Sequence, residues 1–127
     1  MAGDIPIDVI SIPKGTVFEK SWPLTDADTG AMADPTGWSA RCEVKDAYGG
    51  NLITSFHSDR VGHSGWPGVI SFDAAANLTL FLSATNTAGL PVMKNGVFDV
   101  ELIDPSGNPF RLVQGRAHVT PEATTDV

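Results

Sequence analysis

Apolar and polar residues alternate along most of this chain with a period of two, the spacing that sends successive side chains to opposite faces of a pleated strand. The pattern is clearest between Gly96 and Val119, where Phe98, Val100 and Leu102 are interleaved with Asp99 and Glu101. After Asp104-Pro105-Ser106-Gly107-Asn108 the apolar series resumes with Phe110, Leu112, Val113, Ala117 and Val119. The intervening segment has what a chain reversal requires: an aspartate to accept backbone hydrogen bonds, a proline to preset φ, and a glycine for positive φ. The two runs therefore read as a hairpin, with pairing from Phe110 because Pro109 has no N–H to donate. The second run changes parity between Leu112 and Ala117, which predicts a β-bulge, placed at Gly115.

Shorter runs fill the rest of the chain. Ile5, Ile7 and Val9 fall in one phase and Ile10 and Ile12 in the other, interrupted by Pro6 and Pro13. That pattern fits an edge strand or an apolar arm lying on a neighbouring subunit. Thr16 to Leu24 carries Phe18 and Trp22 in phase, and Trp38 to Lys45 is a clean alternation with Trp38 as the large residue expected to fill the interior. Tyr48-Gly49-Gly50-Asn51 turns that strand back onto Leu52 to Phe56. Val69 to Asp73 and Asn77 to Leu82 follow, and Ser83 caps one helical turn over Ala84 to Ala88, stopped by Gly89 and Pro91. About seven short strands and one short helical turn predict an all-β fold, an antiparallel immunoglobulin-like β-sandwich. Residues 1–12 form the arm or edge strand, 13–122 the sandwich, and 123–127 a flexible tail.

Composition narrows the function. A chain of 127 residues with 42% hydrophobic content supports one core. Its net charge of -7 opposes a phosphate backbone, so nucleic acid is not an expected partner. No apolar run approaches the roughly 20 residues of a membrane span, and the N-terminus has no signal-peptide pattern, so synthesis in a cytoplasm is expected.

Candidate chemistry is sparse. Cys42, the one cysteine, alternates in phase with Trp38, Ala40 and Val44 and reads as a buried, inert thiol. Asp26, Asp28 and Asp34 invite comparison with a calcium loop, but counting from Asp26, Gly30 falls at the fifth position and not the sixth, and Gly37 occupies the twelfth, where a bidentate glutamate belongs. The longest irregular stretch, His57 to Gly68, contains His57, Asp59, His63 and Trp66. The spacing of its histidines and aspartate does not fix three ligands around one ion. Trp66 is a candidate subunit contact, and less favourably a stacking platform for a sugar ring. No nucleophile with a base and no phosphate loop occurs, so an enzyme, a cofactor and a metal are not expected.

The order of motifs carries a resemblance. The strand, the Asp104 to Asn108 turn, Arg111-Leu112-Val113-Gln114-Gly115 and Val119-Thr120-Pro121-Glu122 look like the C-terminal hairpin of small immunoglobulin-like proteins of tailed-phage particles. The comparison is with the N-terminal immunoglobulin-like domain of baseplate upper proteins and related tail and head accessory proteins. Ile12-Pro13-Lys14-Gly15-Thr16, Asp34-Pro35-Thr36-Gly37-Trp38, and Leu82-Ser83-Ala84 through Leu90-Pro91 agree in order, so the similarity runs from about Ile12 to Glu122. It implies a non-enzymatic virion component, of the tail or baseplate or as a capsid decoration protein. The partners implied are other copies of itself and larger virion proteins. On this reading the candidate interface is Ile5, Ile7, Val9, Ile10 and Trp66, and removal of Met1 to Ile10 is expected to leave a folded domain.

Overall fold

Each alternating run becomes a strand because burying one face of it removes apolar surface from water while the ladder satisfies the backbone. The computed structural model describes residues 7–24, 35–59, 61–73 and 77–121. Among them are eight strands and one helix: β1 (Ile7–Pro13), β2 (Phe18–Pro23), β3 (Ser39–Lys45), β4 (Leu52–His57), β5 (Gly68–Phe72), β6 (Asn77–Leu82), α1 (Ala84–Ala88), β7 (Met93–Ile103) and β8 (Pro109–Thr120). The strands are ordered β1-β8-β7-β3-β4-β5-β6-β2. Between β4 and β5 the pairing is parallel and only two residue pairs long, Phe56 with Gly68 and His57 with Val69. At that weak seam the sheet turns over. One layer is β1-β8-β7-β3-β4 and the other β5-β6-β2, an all-β sandwich of immunoglobulin type, antiparallel apart from that seam and the β1–β8 pair.

The core fills the space between the layers. Ala40, Cys42 and Val44 of β3 lie opposite Leu102, Val100 and Phe98 of β7, and Leu78, Leu80 and Leu82 face them from β6. The largest wholly buried side chain is Phe56, whose ring meets Phe18 from the other layer at 6.2 Å between centroids. Trp22 crosses the same gap to stack on Phe98 at 6.0 Å. Trp38, expected in the interior, instead precedes β3 and packs half-buried against Phe110 at one end. Cys42 is buried as expected, and burial, with Asp99 and Glu43 adding to it, pushes its thiol well above the ordinary range.

Three hairpin turns share one clamp. Asp46, Asp73 and Asp104 each accept the backbone N–H of the asparagine that ends the turn, Asn51, Asn77 and Asn108, at 2.8–2.9 Å. Each asparagine returns its side-chain amide to the second carboxylate oxygen. Asp104 is held as a low-pKa carboxylate mainly by the Asn108 N–H. The β7–β8 ladder begins one residue earlier than expected, with Pro109 opposite Ile103, a strand-initial position that needs no donor. The helix forms where Ser83 caps it, accepting from the Asn86 N–H at 3.2 Å. Thr87 docks it by donating to the Thr16 carbonyl at 2.8 Å.

The bulge in β8 lies earlier than Gly115. Val100 faces Val113 and Glu101 faces Arg111, which leaves Leu112 as the extra residue and lets Leu112 and Val113 both turn inward. Gly115 serves another purpose. It pairs with Asp8 of β1, and a Cβ there would fall on the Asp8 carbonyl, so its missing side chain admits the parallel edge strand. Asp8 then reaches from β1 to β2 across the mouth of the sandwich, accepting from Trp22 Nε1 at 2.9 Å and pairing with Lys20 Nζ at 3.4 Å.

Two predictions follow from this closure. Gly115→Ala is expected to lower stability by more than about 2 kcal/mol, with amide protection lost first in β1; equal protection in β1 and β8 would contradict the close approach. The Trp22 indole, helped by the Val9 N–H and Lys20, holds the Asp8 carboxyl below its ordinary value. Its contribution is therefore present above the unfolded carboxylate value and lost as pH falls through the lower, folded one. Asp8→Asn is expected to cost about 1 kcal/mol at neutral pH, the site being part-exposed, with the difference from wild type vanishing in strong acid in urea titrations.

Candidate interaction surfaces

The β4–β5 connection folds back over the end of β4 because His57 is the last residue of that strand and gives it a surface to pack on. His57 is buried. Its ring stacks on His63 at 3.6 Å and 8° between planes, and Trp66 meets both rings edge-on at 5.1 and 5.5 Å. The Asp59 N–H donates to His57 Nδ1 at 2.9 Å, so the neutral ring carries its proton on Nε2. Asp59 in turn accepts from the Gly62 N–H at 3.0 Å, which is the main cause of its lowered pKa. His63 Nδ1 makes no hydrogen bond and lies 3.6 Å from Asp59 Oδ2. Sequence reasoning named these four residues but not the stack, which needs the loop's path to be known.

This cluster is a packing unit. Among the described residues no group of three His, Cys, Asp or Glu is placed to hold a metal ion, and the Asp26, Asp28 and Asp34 segment lies outside them. Trp66 is half-buried, with its ring set perpendicular to the two imidazoles and packed beside both.

The candidate interface residues of the N-terminus separate by face. Ile7 and Val9 are 80% and 50% exposed, whereas Ile10 is 1% exposed and belongs to the core beside Ile12. Alternation forces this: a strand with a buried face cannot present neighbouring residues to the same side. Ile10 therefore stabilises this domain, and Ile5 lies outside the described residues. Residues 7–13 are an edge strand in parallel register with β8.

The outer face of the five-stranded layer bears a shallow hollow of about 170 Å³, which sequence reasoning did not identify. Glu43 and Asp99 face each other across β3 and β7 there, with Arg111 3.6 Å from Asp99. Burial raises the Asp99 pKa against the pull of Arg111, and the charges of Glu101 and Glu43 raise it further. Like charges placed opposite one another on a sheet destabilise it. Arg41 and Glu101 form the neighbouring pair at 2.9 Å.

No family model and no curated protein matches the sequence. Among solved structures, the chain is similar to one in the crystal structure of the ZIG-8-RIG-5 IG1-IG1 heterodimer, with 12% identity over 90% of this chain and 82% of that one, and a TM-score of 0.37. So distant a likeness adds nothing to the strand order, which itself defines the class: an immunoglobulin-type β-sandwich.

His57→Ala removes the acceptor of the Asp59 N–H and one face of the ring stack. Amide exchange at Asp59 and Gly62 is expected to accelerate at least about tenfold, with about 2 kcal/mol of stability lost; unchanged exchange would show that the loop is held by other contacts.

Proposed function

We propose that this protein is a non-enzymatic structural component of a tailed-phage particle, a tail or baseplate assembly protein working through subunit contacts. The observation that carries the reading is the edge strand β1. It is anchored by Ile10 and Ile12 in the core, yet it offers Ile7 and Val9 to solvent beside Gln114 and Arg116 of β8. Two exposed β-branched residues on an edge strand are an aggregation liability in a free monomer and a contact in an assembly. The motif order from Ile12 to Glu122 supplies the phage context. On this reading the chain is made in the host cytoplasm and resides in the virion, held by copies of itself and by larger virion proteins. Mechanistically, assembly is burial of apolar surface, with a standard interface hiding roughly 1,600 Å².

The test must spare Ile10 and the Asp8 clasp, so a deletion through residue 10 is unsuitable. Ile7→Asp with Val9→Asp is expected to leave the unfolding midpoint within about 0.5 kcal/mol of wild type while reducing co-purification with particles. Full retention on particles would overturn the contact, and direct imaging of the particle distinguishes tail from capsid.

A further inference from the structure

The roll leaves two free strand edges, β1 and β2, and the backbone of β1 can be followed residue by residue. The Asp8 carbonyl is aimed at Gly115 of β8, and the Lys14 N–H donates to the Thr120 carbonyl at 3.1 Å. The even-numbered residues of this strand therefore turn their peptide groups toward β8. Ile7, Val9 and Ser11 turn theirs outward, and Pro13, next in that row, has no N–H to leave unpaired.

The central outward donor is already taken. The Val9 N–H donates to Asp8 Oδ1 at 2.7 Å, while Asp8 Oδ2 meets the Trp22 indole and Lys20. Asp8 lies on the inner face of β1, in the row of Ile10 and Ile12; Lys20 lies on the inner face of β2, between Phe18 and Trp22 and opposite Leu80. The inner faces of the middle strands β3 and β6 carry Ala40, Cys42 and Val44, and Leu78, Leu80 and Leu82. Each free edge thus has one inward charge where these middle strands have none.

We propose that Asp8, paired with Lys20, guards the β1 edge and keeps the free chain from adding the β1 strand of a second copy. The outward row is its own complement: an antiparallel pairing about Val9 sets Val9 against Val9 and Ile7 against Ser11, matching donor to carbonyl at each step. An unguarded β1 would therefore pair with another of itself. With Asp8 in place, that pairing lacks the Val9 donor in both copies, and it sets each carboxylate opposite Ile10 of the second copy, away from water. Charges turned inward on an edge strand block addition of a further strand in this way. The Ile7 and Val9 side chains stay uncovered on the outer face, so the guard leaves the proposed particle contact open and does not rest on it.

Sedimentation velocity of the full chain over a range of concentrations, with amide exchange followed at Ser11, reads the guard directly. The wild type is expected to be monomeric, with the Ser11 amide exchanging fast. Asp8→Ala is expected to self-associate at concentrations at least about tenfold below any at which the wild type does, with exchange at Ser11 slowing as concentration rises. Adding Ser11→Pro, which breaks no bond to β8, is expected to return Asp8→Ala to a monomer. Trp22→Phe removes the indole donor but leaves the cap on Val9, and is expected to stay monomeric. Should Asp8→Ala fail to fold, Asp8→Asn with and without Ser11→Pro makes the same comparison. Asp8 variants that remain monomeric at every concentration would overturn the proposal. So would association that Ser11→Pro leaves intact, equal association of Trp22→Phe, or a wild type that already pairs through β1.

Discussion

A sheet that rolls into two layers leaves two strand edges that must be brought together, and in this protein one carboxylate joins them. Asp8 lies on the core side of β1, on the face of Ile10 and Ile12, where an ionised group would ordinarily be excluded. It is tolerated because the mouth between β1 and β2 stays part-open and because three donors, the Trp22 indole, the Val9 N–H and Lys20, meet its oxygens. Trp22 is thereby fixed in orientation and can stack on Phe98 of the facing layer. Two of the residues that Trp22 touches, Asp8 and Phe98, are the register partners of Gly115 on either side. Edge closure, inter-layer stacking and the absence of a side chain at Gly115 are one arrangement.

The seam at the other side of the roll is built differently. Two parallel pairs join β4 to β5, and Gly68 lies so close to the Phe56 ring that no Cβ would fit. Little backbone pairing holds this corner, so side chains carry it: Phe56 and Phe18 inside, and the stacked His57 and His63 with Trp66 outside. The imidazole stack needs a neutral His57, because a ring protonated at both nitrogens could not accept from Asp59. The corner where the layers part is thus the place where surface chemistry and fold meet.

Much of this was local and therefore legible. The Asp104 turn, the Ser83 cap and the β3–β4 hairpin could be read because each depends on residues within five positions of one another. The adjacent apolar pair Leu112-Val113 signals the bulge, although glycine, the usual mark of irregularity, points to Gly115. Gly115 answers instead to β1, more than a hundred residues away in sequence. Size and phase point to Trp38 as the interior aromatic; Phe56 holds that place because it lies mid-layer, while Trp38 lies beyond the strand end.

The sequence by itself determined the strands, their inward faces and the turns that link neighbours, because period-two burial and turn chemistry act between residues close along the chain. Only the tertiary structure decided which strand lies beside which. That choice sent Ile10 inward and Ile7 outward, and brought His63 over His57. Strand order and direction are set by packing between distant segments, and until they are known no residue can be assigned to an end, an edge or a neighbour across the core.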